Sequence, residues 1–74
     1  MYVSNVTRRH GRLSSISVAD PDGRSASFAI EGREVGELLA HTPGVAAPWR
    51  REARAYANAM LATELKATAR PPPR

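Results

Sequence analysis

Pro48–Thr68, PWRREARAYANAMLATELKAT, is the one long stretch with a clear helical period, and the other segments read as material for it to pack against. At about 3.6 residues per turn, Trp49, Ala53, Tyr56, Met60 and Ala67 fall in one narrow stripe, which Ala57 and Leu61 widen. A stripe of that width is the apolar face of a helix docked on a core. Pro48 suits the first helical turn, where its missing N–H costs nothing. The alanines and Leu61 propagate the helix, and Pro71, Pro72 and Pro73 forbid its continuation. Ala55, Ala59 and Ala62 form a second strip of small residues. It reads as an exposed face filled with good helix formers, and it would also admit a second copy, so a homodimer belongs among the expected partners.

Charge placement in this helix goes beyond packing. Arg50, Arg51 and Arg54 sit in its first two turns, where the helix dipole disfavours a cation by ~0.3–1 kcal/mol each. Arg50 and Arg54 are also a like-charged i, i+4 pair, which Glu52 only partly relieves. The cluster reads either as a solvated basic face or as a surface for an anion.

Length and composition narrow the classes. Seventy-four residues make one domain with a modest core, of a size that gains from a partner or from oligomerisation. Net charge is +4, with one lysine (Lys66) among eleven basic residues, and this balance raises the expectation of an acidic or nucleic-acid partner. The chain has no cysteine, hence no disulfide framework and no thiolate zinc site. No apolar run approaches the ~20 residues that span a bilayer, and the N-terminus lacks the pattern of a signal peptide. These features predict a soluble cytoplasmic protein with no membrane partner.

Upstream of the helix, Tyr2–Arg8 and Leu13–Ala19 read as strands joined by Arg9-His10-Gly11-Arg12, whose glycine can take positive φ. In the second strand Ile16 and Val18 share one face, and Leu13, Ser15 and Ser17 the other. In the first, Tyr2 and Val6 lie on one side and Val3 on the other. Asp20-Pro21-Asp22-Gly23 is the strongest turn signal in the chain. After it Ser25–Ile30 alternates strictly, with Ala26, Phe28 and Ile30 inward. Glu31-Gly32-Arg33 breaks that strand, and Glu34–His41 then reads as a short helix with Val35, Leu38 and Leu39 on one side. The expected fold is α+β: a three-stranded antiparallel β-meander packed by one long C-terminal helix and a short helix. Residues 1–69 form the domain, and 70–74 a disordered proline-rich tail.

No catalytic constellation is visible. His10 lies in a turn and His41 at an element's end, and no serine sits in a Gly-x-Ser-x-Gly setting. Asp20 and Asp22 resemble the start of a calcium loop, but the glycine comes too early and no glutamate follows at the twelfth position. The chain therefore reads as a non-enzymatic binding protein with neither metal nor cofactor. Its candidate partner-binding residues are Arg8, Arg9 and Arg12 at the first hairpin, Arg50, Arg51 and Arg54 on the helix, and Trp49 as an apolar anchor.

Two resemblances bear on function. Ala57-Asn58-Ala59-Met60-Leu61-Ala62 resembles the Asn-Ala-led helix near the C-terminus of many small phage and prophage proteins, which often carry a short β-rich half before it. That resemblance implies a phage-type accessory protein in the cytoplasm of a bacterial host, of which the anti-CRISPR inhibitors are the best studied class. Such a protein would bind a host protein or ribonucleoprotein complex. The order strand Ser25–Ile30, helix Glu34–His41, helix Pro48–Thr68 is similar to ribbon-helix-helix repressors. This second resemblance implies a dimeric DNA-binding regulator.

Overall fold

The computed structural model describes residues 1–69, and side chains as far as Glu64; the proline-rich tail lies outside the described residues. Four strands precede one helix: β1 (Tyr2–Arg9), β2 (Arg12–Ala19), β3 (Ser25–Glu31), β4 (Glu34–His41) and α1 (Ala47–Ala69). The strands form one antiparallel sheet in the order β1-β2-β3-β4. The chain is α+β as expected, but the expected three strands and two helices are corrected to four strands and one helix.

Short turns impose this meander. His10 and Gly11 both take positive φ (54° and 77°), the two-residue geometry that matches strand twist, and Arg9 pairs directly with Arg12. Between β2 and β3, Gly23 N–H donates to Asp20 O, and Asp20 N–H to Arg24 O, at 3.1 and 2.9 Å. Gly23 then takes positive φ, which closes a three-residue loop. Gly32, at φ 66°, opens a two-residue turn across which Glu31 pairs with Glu34.

That last turn explains the missed strand. The β3–β4 register shifts between Ser27 and Phe28 and again between Phe28 and Ile30. Ala26, Phe28 and Ile30 therefore face His41, Leu38 and Val35. Two bulges have stretched the strand period from two to three, and apolar residues three apart read as a helix. Bulges also repair the broken alternation of the first hairpin. Val3 pairs with Val18, Val6 with Ile16 and Arg8 with Leu13, with irregularities after Val3 and after Thr7. Directly opposite residues share a face, so Val3, Val6, Leu13 and Ile16 all lie on the side of the core. The assignments of Val3 and Leu13 to the opposite face are corrected accordingly.

Helix α1 crosses that side, chiefly against β2, β3 and β4. Its buried row is Trp49, Ala53, Ala57 and Leu61, flanked by half-buried Tyr56 and Met60. Ala53 and Ala57, one turn apart and fully buried, let the helix approach the sheet closely. Phe28, Leu61 and Val18 are the largest fully enclosed side chains, each contributing about 1.5–3 kcal/mol by burial. Ala55, Ala59 and Ala62 are exposed. The strand–helix–helix order behind the second resemblance is not formed: Glu34–His41 is a strand, and Ser25–Glu31 is an inner strand paired on both sides.

One buried carboxylate ties the helix to the sheet. Asp20 is 7% exposed and accepts four hydrogen bonds: from Asp22 N–H and Arg24 N–H at 3.0 Å, Arg24 Nε at 2.7 Å and the Trp49 indole at 2.9 Å. Burial pushes its carboxyl up. The Arg24 backbone N–H, the Trp49 indole and the Arg24 guanidinium outweigh that and hold it below the ordinary value of 3.8. A depressed folded-state value means that the unfolded chain takes up the proton first. This contribution to stability is present above the ordinary carboxylate value and is lost as pH falls through the folded one. Thermal melts are thus expected to lose midpoint as pH drops below about 4, and Asp20→Asn to start lower with a flatter pH profile over that range. Parallel profiles for the two proteins would remove Asp20 from the account.

Candidate functional site

Five of the six candidate arginines divide between the two ends of the molecule, and Arg54 lies between them. Arg8, Arg9 and Arg12 lie where β1 turns into β2, and the β3–β4 turn stands at the same end. Helix α1 starts at the other end, beside Asp20, and carries Arg50 and Arg51 there. Eight residues of strand at ~3.3 Å each separate the two ends by roughly 25 Å, so they do not form one surface.

Three of the candidates are engaged by the fold itself. Trp49 is 6% exposed: its ring is in the core, its N–H is held by Asp20, and the Arg24 guanidinium lies 5.6 Å from the ring centre. Arg54 is half-buried. Its Nη1 donates to Val35 O and Gly36 O at 3.2 and 2.8 Å, and its guanidinium lies 5.1 Å from the centre of the Phe28 ring. These carbonyls lie in the bulged part of β4, so the arginine supplies donors to a backbone that strand pairing leaves irregular. Arg8 is bridged to Glu64 at 2.6 Å, with both side chains about half exposed. Such a surface pair contributes about 0–1 kcal/mol.

What remains at the hairpin end is Arg9, Arg12 and a residue absent from the sequence reading, Arg33. Arg8, Arg12 and Arg33 line one open hollow of about 650 Å³ with Leu13 and Ile30. Arg9 and Arg12 are exposed and stand directly opposite each other across the strands, a like-charge pairing that weakens a hairpin. No carboxylate among the described residues pairs with Arg9, Arg12 or Arg33. Arg33 was hidden because its neighbourhood depends on β4 being a strand; the available signal was Gly32-Arg33 placed between two β-compatible runs. Arg50, Arg51 and Arg54 flank a smaller hollow of about 220 Å³ beside Leu38 and Phe28.

Groups suited to other chemistry are scattered. His10 is at the hairpin tip, whereas His41 is at the opposite end with Nδ1 2.9 Å from Thr42 O. Ser17 and Ser27 hydrogen-bond each other at 2.7 Å on the uncovered face of the sheet, and Ser15 is bonded to Thr7 there. Among the described residues no three His, Cys, Asp or Glu side chains gather as a metal site, and no helix is long and apolar enough to cross a membrane. No protein-family model matches the chain, and no curated protein or solved structure matches it either.

Proposed function

We propose that this is a non-enzymatic binding protein that attaches to an anionic surface of a host ribonucleoprotein complex through the hairpin end of its sheet, as a phage-type inhibitor would. One observation carries the reading. Arg9 and Arg12 are held opposite each other, with Arg33 at the neighbouring turn between Glu31 and Glu34, and no carboxylate among the described residues forms an ion pair with any of the three. Like charges so placed cost the free protein stability, and a bound row of phosphates would reverse the sign of that cost. Arginine also suits the planar, bidentate recognition of phosphate.

The test is a titration of structured RNA and of random duplex DNA with the full chain, at low and near-physiological salt. RNA binding is expected, with three arginine–phosphate contacts giving a log–log salt slope of about −2 to −3. Arg12→Glu/Arg33→Glu is expected to weaken it about tenfold or more at low salt, and to take roughly one from the slope per arginine lost. No RNA binding at low salt overturns the proposal. Binding confined to duplex DNA overturns it as well and favours a DNA-binding regulator.

A further inference from the structure

The two edges of the sheet are finished differently. Along β4 the fold supplies its own partners: Val35 N–H donates to Asn58 Oδ1 at 3.3 Å, and Glu37 N–H to Glu31 Oε2 at 3.1 Å. Arg54 donates to the Val35 and Gly36 carbonyls. With two bulges and the charges of Glu34 and Glu37, this is how a natural edge is closed to other chains. Among the described residues, no side chain hydrogen-bonds to any backbone group of β1. That edge is open over eight residues, uncharged from Tyr2 to Thr7. Behind it runs a groove of about 340 Å³ floored by Val3, Val6, Leu13 and Ile16 and walled by Met60 and Leu61. Val6 is 39% exposed.

We propose that two copies of this chain associate through β1, antiparallel and edge to edge, to make one continuous eight-stranded sheet. The strand is complementary to itself in one register. Its bulge at Ser4 places Val3, Val6 and Arg8 on the helix side, and Tyr2, Asn5, Thr7 and Arg9 on the open side. When Val6 faces its own copy across the twofold axis, Asn5 faces Thr7 of the second copy. Carrying the same bulge onward, Val3 meets Arg8, and Tyr2 meets Arg9. Every pair then shares a face, no like charges are opposed, and each Arg9 gains the exposed Tyr2 ring of the other copy. A slip of one residue opposes Asn5 to Val6 and mixes the two faces. β1 already uses this bulged pattern with β2.

The experiment is a mass measurement by sedimentation equilibrium on the full chain over a wide concentration range. The expected mass is twice the 8.0 kDa of one chain. It should persist at salt that releases RNA, which separates this interface from the arginine surface. Val6→Lys opposes two ammonium groups at the axis and is expected to return a single-chain mass with an unchanged circular dichroism spectrum. Should that variant fail to fold, Val6→Cys decides. The chain has no cysteine of its own, and Val6 pairs with itself, so mild oxidation is expected to cross-link the dimer. Leu39→Cys, 54% exposed on β4, is expected to stay uncross-linked under the same oxidant. A single-chain mass at every concentration overturns the proposal and leaves the edge to a strand of another protein. A dimer whose Val6→Cys form does not cross-link, or one dissolved by Ala59→Glu but not by Val6→Lys, overturns it in favour of the helix.

Discussion

Trp49→Ala is expected to remove roughly half of the free energy that holds the chain folded. Removing a buried tryptophan costs about 3–5 kcal/mol. At ~0.05–0.15 kcal/mol per residue, a chain of 74 residues holds only about 4–11 kcal/mol in total. The substitution also strips Asp20, itself buried, of one of its four donors. Trp49→Phe separates the two contributions, since it keeps most of the packing and loses only the indole N–H, for about 1–2 kcal/mol. Urea unfolding followed by circular dichroism measures both. A Phe variant as unstable as the Ala variant would assign the whole effect to the hydrogen bond. An Ala variant within 1 kcal/mol of the parent, roughly the loss of a single hydrogen bond, would show that Trp49 does not anchor the helix.

Arg54→Met should have the next largest effect, a loss of about 2–4 kcal/mol. It leaves the Val35 and Gly36 carbonyls without their donor and removes the stacked cation from Phe28. Arg54→Lys keeps the charge but not the planar fork, and is expected to recover only part of the loss. Amide exchange should accelerate first in β4, where the bulged backbone relies on this side chain. RNA affinity of the folded fraction should fall far less than in Arg12→Glu/Arg33→Glu, because the Arg54 guanidinium is already engaged by the Val35 and Gly36 carbonyls and the Phe28 ring. Uniform acceleration across all four strands would mean that Arg54 acts through the core rather than through β4.

The contrast between Arg54 and Arg12 is instructive, since the two look alike in a sequence of arginine runs. In the sequence Arg54 stands out as a cation at the unfavourable end of a helix. The fold accounts for it: a carbonyl pair and an aromatic face lie within its reach. For Arg9, Arg12 and Arg33 the fold offers no such account, and they carry the functional proposal. Trp49 shows the same limit from the other side. Its place in the apolar stripe was legible, but the partner of its N–H was not. Asp20 precedes it by 29 positions and read as a turn residue.

Local chemistry determined α1 and its docking stripe, the turns at His10-Gly11 and Asp20–Gly23, and the strict alternation of β3, because each depends on the conformational preferences of a few neighbouring residues. What only the tertiary structure decided was everything routed through a bulge. Val35, Leu38 and His41 recur at intervals of three, a spacing shared by one side of a helix and one face of a twice-bulged strand. Pairing with Phe28 and Ile30 resolves that ambiguity, and it is a non-local interaction. The fourth strand, the arrival of Arg33 beside Arg12 and the difference between the closed and open edges all follow from it.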